Sequence, residues 1–90
     1  MENQEFEKMK NEGMEFIDRI ASRVVQNYDD GFMTEARYSW DQLKGATYMY
    51  VKIFGADDYS GFRLAYIALH KACKQNGADI KAIWDNVVAR

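Results

Sequence analysis

The sequence predicts an all-α protein, a small bundle of about four helices in one domain spanning residues 1–90. Three observations predict it. Apolar residues recur at steps of three and four along most of the chain, the period of an amphipathic helix. Pro is absent from all 90 residues, whereas all-β and loop-rich chains normally place it in turns. Gly31, Gly55 and Gly77 fall about one helix length apart and divide the chain. Hydrophobic residues make up 48% of the sequence, which is the composition of a folded chain rather than a disordered one.

The first helix is expected over 3–28. Phe6, Met9, Phe16, Ile17, Ile20, Val24 and Tyr28 share one face at helical pitch. Asn3 is placed to cap its start, with Glu5 and Glu7 in the first turn, where the helix dipole favours negative charge. Gly13 falls on the apolar face; it costs roughly 1 kcal/mol against Ala and permits a close helix crossing. Asp29-Asp30-Gly31 ends the run.

The second helix, 34–54, contains the most ambiguous stretch. As a helix it puts Ala36, Trp40, Leu43, Thr47, Tyr50, Val51 and Phe54 on one stripe and Tyr38, Met49 and Ile53 on another. The alternative is α+β, with a β-hairpin at 32–54 whose second strand would show Thr47, Met49, Val51 and Ile53 on one face. Glu35, Ala36 and Arg37 in the first strand, and Gln42, Leu43 and Lys44 in its turn, are helix formers and favour the helix. Gly45 is then its weak point.

The third helix is expected over 59–76, capped by Asp57, Asp58 or Ser60 and stopped by Asn76-Gly77. Phe62, Ala65, Leu69, Ala72 and Cys73 form its core face, with Leu64, Ile67 and Ala68 behind. Asp79 caps a last helix, 79–89, where Ile80, Ile83, Trp84, Val87 and Val88 repeat at helical spacing. Apolar surface on two sides of a helix usually meets another chain. An oligomer, most simply a dimer, is therefore expected through Tyr38, Met49, Ile53, Leu64 and Ile67.

The formal net charge is −2, which argues against a general binder of polyanions. It is unevenly spread: residues 1–51 hold six Lys and Arg against ten Asp and Glu, and residues 52–90 hold six against four. An anionic ligand should therefore prefer the C-terminal half. The polar, acidic N-terminus argues against a signal peptide, and the apolar runs are too short to span a membrane. A cytoplasmic location without membrane contact is expected.

Catalytic signatures are missing. "FGADDYSGF" lacks the spacing of a phosphate-binding loop. One His and one Cys do not make a zinc site, and no metal or cofactor is expected. Asp29-Asp30 and Asp57-Asp58 fit helix capping better than acid–base work. Cys73, three residues from His70, reads as a core cysteine rather than a nucleophile.

One constellation stands apart. Tyr59, Arg63, Tyr66, His70 and Lys74 share a sector of the third helix, with Lys52 and Tyr48 as neighbours on the second. Guanidinium, ammonium and imidazole groups grip phosphates or carboxylates, and tyrosine rings stack on bases. The strip from Arg63 to Lys74 is roughly 16 Å long at the helical rise per residue. The plainer explanation is a polar edge on an exposed helix. "LHKACKQNGADIKAIWDNVVAR" also resembles a helix–turn–helix in outline, but its last helix sets Lys81 and Arg90 against Asp79 and Asp85, too little net charge for a DNA groove.

The expected function is therefore non-enzymatic: an oligomeric inhibitor or adaptor acting on another protein, as many small proteins of phages and mobile elements do. The alternatives are a sequestering protein for a nucleotide or other small anion held by the third-helix stripe, and a DNA-binding regulator.

Overall fold

The computed structural model describes residues 2–55 and 60–89, the side chain of Glu2 aside. Among these residues all regular structure is helical: α1 (Glu2–Asp29), α2 (Met33–Phe54), α3 (Gly61–Asn76) and α4 (Ile80–Ile83), the last continued by a wider π-helical turn over Trp84–Val88. No described residue is in a strand, so the β-hairpin alternative at 32–54 is not supported. That segment is one helix, unbroken at Gly45.

Helix boundaries follow the expected chemistry with two corrections. Ser60 caps α3 by accepting a hydrogen bond from the Arg63 N–H at 3.1 Å, and Asp79 caps α4 by accepting from Lys81 N–H at 3.0 Å. Asp57, Asp58 and Tyr59 lie outside the described residues. Asn3 is inside α1 rather than capping it. The second correction concerns the last helix, which is α-helical for only four residues. The Asn86 amide donates to the Ala82 carbonyl at 2.8 Å, and Arg37 holds the Asn86 carbonyl through Nε and Nη2 at 3.2 and 3.1 Å. These side-chain bonds flank the wide turn, which closes where the Ala89 N–H donates to the Trp84 carbonyl at 2.8 Å.

The stop at Gly77 is a left-handed cap with φ 64°. It lets the Ala78 N–H return to the Cys73 carbonyl at 2.8 Å, the six-residue closure that ends many helices.

The core lies where α1, α2 and α3 meet. Ile17, Val24, Leu43, Leu69, Ile83 and Val87 are fully buried there. The predicted stripe of α2 supplies Ala36, Trp40, Leu43, Thr47 and Tyr50 to it. Thr47 satisfies its hydroxyl within its own helix, donating to the Leu43 carbonyl at 2.9 Å. Buried Ser39 accepts from the Asn27 amide at 3.1 Å, tying α2 to α1. α3 contributes more than its expected face: Leu64 is only 5% exposed, and Ala68 is buried too. The reason is that α3 sits in the groove between α1 and α2 and touches both, so its buried arc is wider than one neighbour would require. Phe62, placed in the core by the sequence, is instead 52% exposed, its ring met only edge-on by Trp40 and Trp84.

Two glycines set the helix spacing. A Cβ at Gly13 would lie 3.1 Å from two ring carbons of Tyr50, and one at Gly61 would lie 2.7 Å from the Cα of Tyr48. The close crossing expected at Gly13 is therefore present. The molecule measures 45 × 20 × 19 Å. The long axis is about the length of the 28-residue α1, roughly 42 Å at 1.5 Å per residue. The amino half of α1 runs beside the end of α2, where Phe6 and Phe54 meet edge to face at 5.4 Å.

Gly45 is exposed and helical, and a Cβ there meets nothing within 4 Å. Gly45→Ala should thus raise unfolding free energy by roughly 0.5–1 kcal/mol through helix propensity alone, measured by urea titration of the circular dichroism signal.

Candidate functional site

The cationic stripe on α3 survives in part. Tyr66 and His70 lie one turn apart with ring centroids 6.0 Å apart. Arg63 and Lys74 are exposed on the same sector, at the two ends of the strip. Tyr59 lies outside the described residues. Tyr48 and Lys52 pair with each other across α2, the ammonium 5.3 Å from the ring centroid. They stand beside the first turn of α3, where Gly61 abuts the Tyr48 backbone.

What the sequence reading missed is the aromatic surface beside this stripe. Trp84, expected in the core, is only partly buried. Its ring stands edge-on to Tyr66 at 5.3 Å and to Phe62 at 6.2 Å. Phe62 in turn meets Trp40 edge-on at 6.1 Å. The result is one run of rings, Trp40–Phe62–Trp84–Tyr66–His70, that passes from the core to the surface. Edge-to-face pairs of this kind contribute roughly 0.5–1.5 kcal/mol each beyond area burial, so the exposed end is held in place. An open groove of about 610 Å³ lies along it, lined by Tyr66, Ile80, Lys81, Trp84 and Asp85. Lys81 is bonded to Asp85 at 2.9 Å, and that bond holds its ammonium above the usual lysine range. The signal available in the sequence was that tryptophan is seldom fully buried and that the last helix is short.

The predicted oligomer residues divide. Tyr38, Met49 and Ile53 are exposed on α2. Leu64 is corrected to a core position. Ile67 is exposed on α3, one turn before Lys71, which pairs with Asp18 of α1 at 3.0 Å. It therefore lies on the α1 side of α3 and does not join the α2 stripe.

Cys73 is 1% exposed. Burial, with Asp29 and Asp79 adding to it, pushes its thiol from an ordinary value near 9 up to about 11. A reactive thiol needs the opposite environment, exposed and electropositive. No group of three or more His, Cys, Asp or Glu among the described residues is arranged to hold a metal ion, and no described helix is long and apolar enough to cross a membrane. A scan against protein-family models finds no match, and neither does a search of curated proteins or of solved structures.

Iodoacetamide near pH 8 should leave Cys73 unmodified in the native protein and alkylate it once urea unfolds the chain, as mass spectrometry would record. The raised thiol also has a pH consequence. The unfolded chain gives up this proton before the folded one does, so stability falls as pH rises from near 9 towards about 11. Cys73→Ala should therefore lose less melting temperature over that interval than the wild type.

Proposed function

We propose that this is a non-enzymatic, cytoplasmic binding protein that acts by covering a surface of another protein, as an inhibitor or adaptor. The single observation that carries this reading is the half-exposed run Phe62–Trp84–Tyr66 beside an open groove. Tryptophan, tyrosine and arginine dominate the energetics of protein interfaces because they provide large contact areas at low entropic cost. Here the rings are already fixed against one another, so little ordering is left for the moment of binding. Arg63, His70 and Lys74 line the neighbouring edge. The favoured partner presents an apolar side chain to the groove and carboxylates to that edge.

The same edge supports a second reading, a site for a nucleotide or other small anion. Its specific support is the placement of Tyr66 next to His70 in a strip that also holds Arg63 and Lys74. The DNA-binding reading has less support. α4 is four residues long, and Lys81, its one cation among the described residues, is occupied by Asp85.

Affinity purification from the native host, with proteins and co-purifying small molecules both analysed, separates the two leading readings. For a protein partner, Tyr66→Ala should lower recovery about tenfold or more, a typical hot-spot loss. Arg63→Ala/Lys74→Ala should cost less and chiefly reduce salt sensitivity. For a nucleotide, thermal stabilisation by a nucleotide panel should vanish in Arg63→Ala/Lys74→Ala. Unchanged capture in Tyr66→Ala, together with no response to the panel, would overturn both.

A further inference from the structure

The flank of α1 and α2 that faces away from α3 carries a second surface. Met9, Phe16, Met49 and Ile53 lie along this helical hairpin and are between 48% and 59% exposed. The register is fixed by Gly13 packing against Tyr50 and Phe6 meeting Phe54. This places Ile53 of α2 near the height of Met9 and Met49 between Met9 and Phe16 of α1. Asp18, Ala21 and Val25 mark the opposite flank of α1, the one turned to α3.

Along α1 the exposed residues of this flank are Glu5, Met9, Glu12, Phe16, Arg19 and Arg23. They are spaced by alternating steps of four and three, the period of a helix-pairing seam. The series is symmetric about residue 14. Glu5 mirrors Arg23, Met9 mirrors Arg19, and Glu12 mirrors Phe16. The seam is acidic at its amino end and basic at its carboxyl end. Among the described residues, no ion pair within the chain uses Glu5, Glu12, Arg19 or Arg23.

We propose that this face binds a second copy of the chain, with α1 antiparallel to the partner's α1 across a two-fold axis near residue 14. A two-fold contact must be self-complementary, and the charged ends of this seam are. Antiparallel pairing sets Glu5 against the partner's Arg23 and Arg23 against the partner's Glu5, at the ends of a seam roughly 27 Å long. Between those ends Met9 stands opposite the partner's Arg19 and Phe16 opposite the partner's Glu12, with Met49 and Ile53 of α2 beside them. A parallel arrangement would instead set Glu5 against the partner's Glu5 and Arg23 against the partner's Arg23. Four half-exposed side chains offer roughly 400 Å² of apolar area per copy. Doubled, and with the charged ends added, this reaches the lower range of specific interfaces. The groove on α3 and α4 lies on another face, so the contact is independent of the reading given above.

The test is sedimentation equilibrium of the full chain with charge-swap variants. The wild type should sediment at twice the 10.5 kDa protomer mass at about 100 µM. Phe16→Asp should sediment as a monomer with an unchanged helical signal. Glu5→Arg and Arg23→Glu should each weaken association about tenfold, because each reversal sets like charges together at two symmetric places. Glu5→Arg/Arg23→Glu should restore it, since the swapped pair is again complementary. A monomeric wild type overturns the proposal. So does a dimer in which the double reversal is no tighter than the single ones, because the antiparallel pairing would then be absent.

Discussion

The architecture depends on how closely α3 can approach α2. At Gly61 the first turn of α3 rests on the backbone of Tyr48, so near that a single Cβ would come within 2.7 Å of a main-chain atom. Backbone cannot yield as a side-chain tip can, and protein interiors are too dense to absorb the displacement. The contact fixes where α3 begins along α2. From there α3 runs back along the groove between α1 and α2, which buries Leu64 and Ala68 as well as Leu69 and Cys73. It also leaves the last turn and a half of α2 and the first turns of α1 without a third helix above them. The elongated shape and the exposed apolar residues at that end both follow.

The two surfaces that result differ in chemistry. The ledge formed by Phe62, Tyr66 and Trp84 is aromatic, braced from beneath by Trp40 and edged by cations. It is suited to an outside partner, because rigid rings grip without losing much freedom. The outer flank of α1 and α2 mixes Met9, Phe16, Met49 and Ile53 with Glu12 and Arg19 and is oppositely charged at its ends. That pattern is the basis of the proposed pairing with a second copy. The uneven charge visible in the sequence places the acidic excess largely on α1 outside this flank, whose two Glu and two Arg balance, and the cationic edge on α3.

Much of the fold was legible because helical periodicity reports burial directly. The stripe Ala36–Trp40–Leu43–Thr47–Tyr50 was readable, and the hairpin alternative fails because Thr47 and its neighbours find their hydrogen-bond partners along the helix. The caps at Ser60 and Asp79 and the stop at Gly77 were readable because each uses local chemistry. The errors share a cause: they concern which neighbour covers a given side. Leu64 was assigned to the surface because one helix face was assumed to meet one neighbour, and α3 meets two. Phe62 and Trp84 fall on the apolar stripes of their own helices. Helical spacing alone does not show that those ends of the stripes lie at the edge of the core, where the last α-helix gives way to a wide turn beside Arg37 and Asn86. Only half of the candidate site was therefore visible. The polar stripe could be read from one helix, but the aromatic ledge is assembled from α2, α3 and the final turn.

The most direct measurement is the unfolding free energy of Gly61→Ala by urea denaturation. In an unconstrained helix, replacing glycine with alanine stabilises the fold or leaves it nearly unchanged. The account predicts the opposite sign, a loss of roughly 1–3 kcal/mol, because the added methyl group overpacks against the Tyr48 backbone. A gain in stability, or no change, would contradict it and would mean that α3 is not seated on α2 at this point.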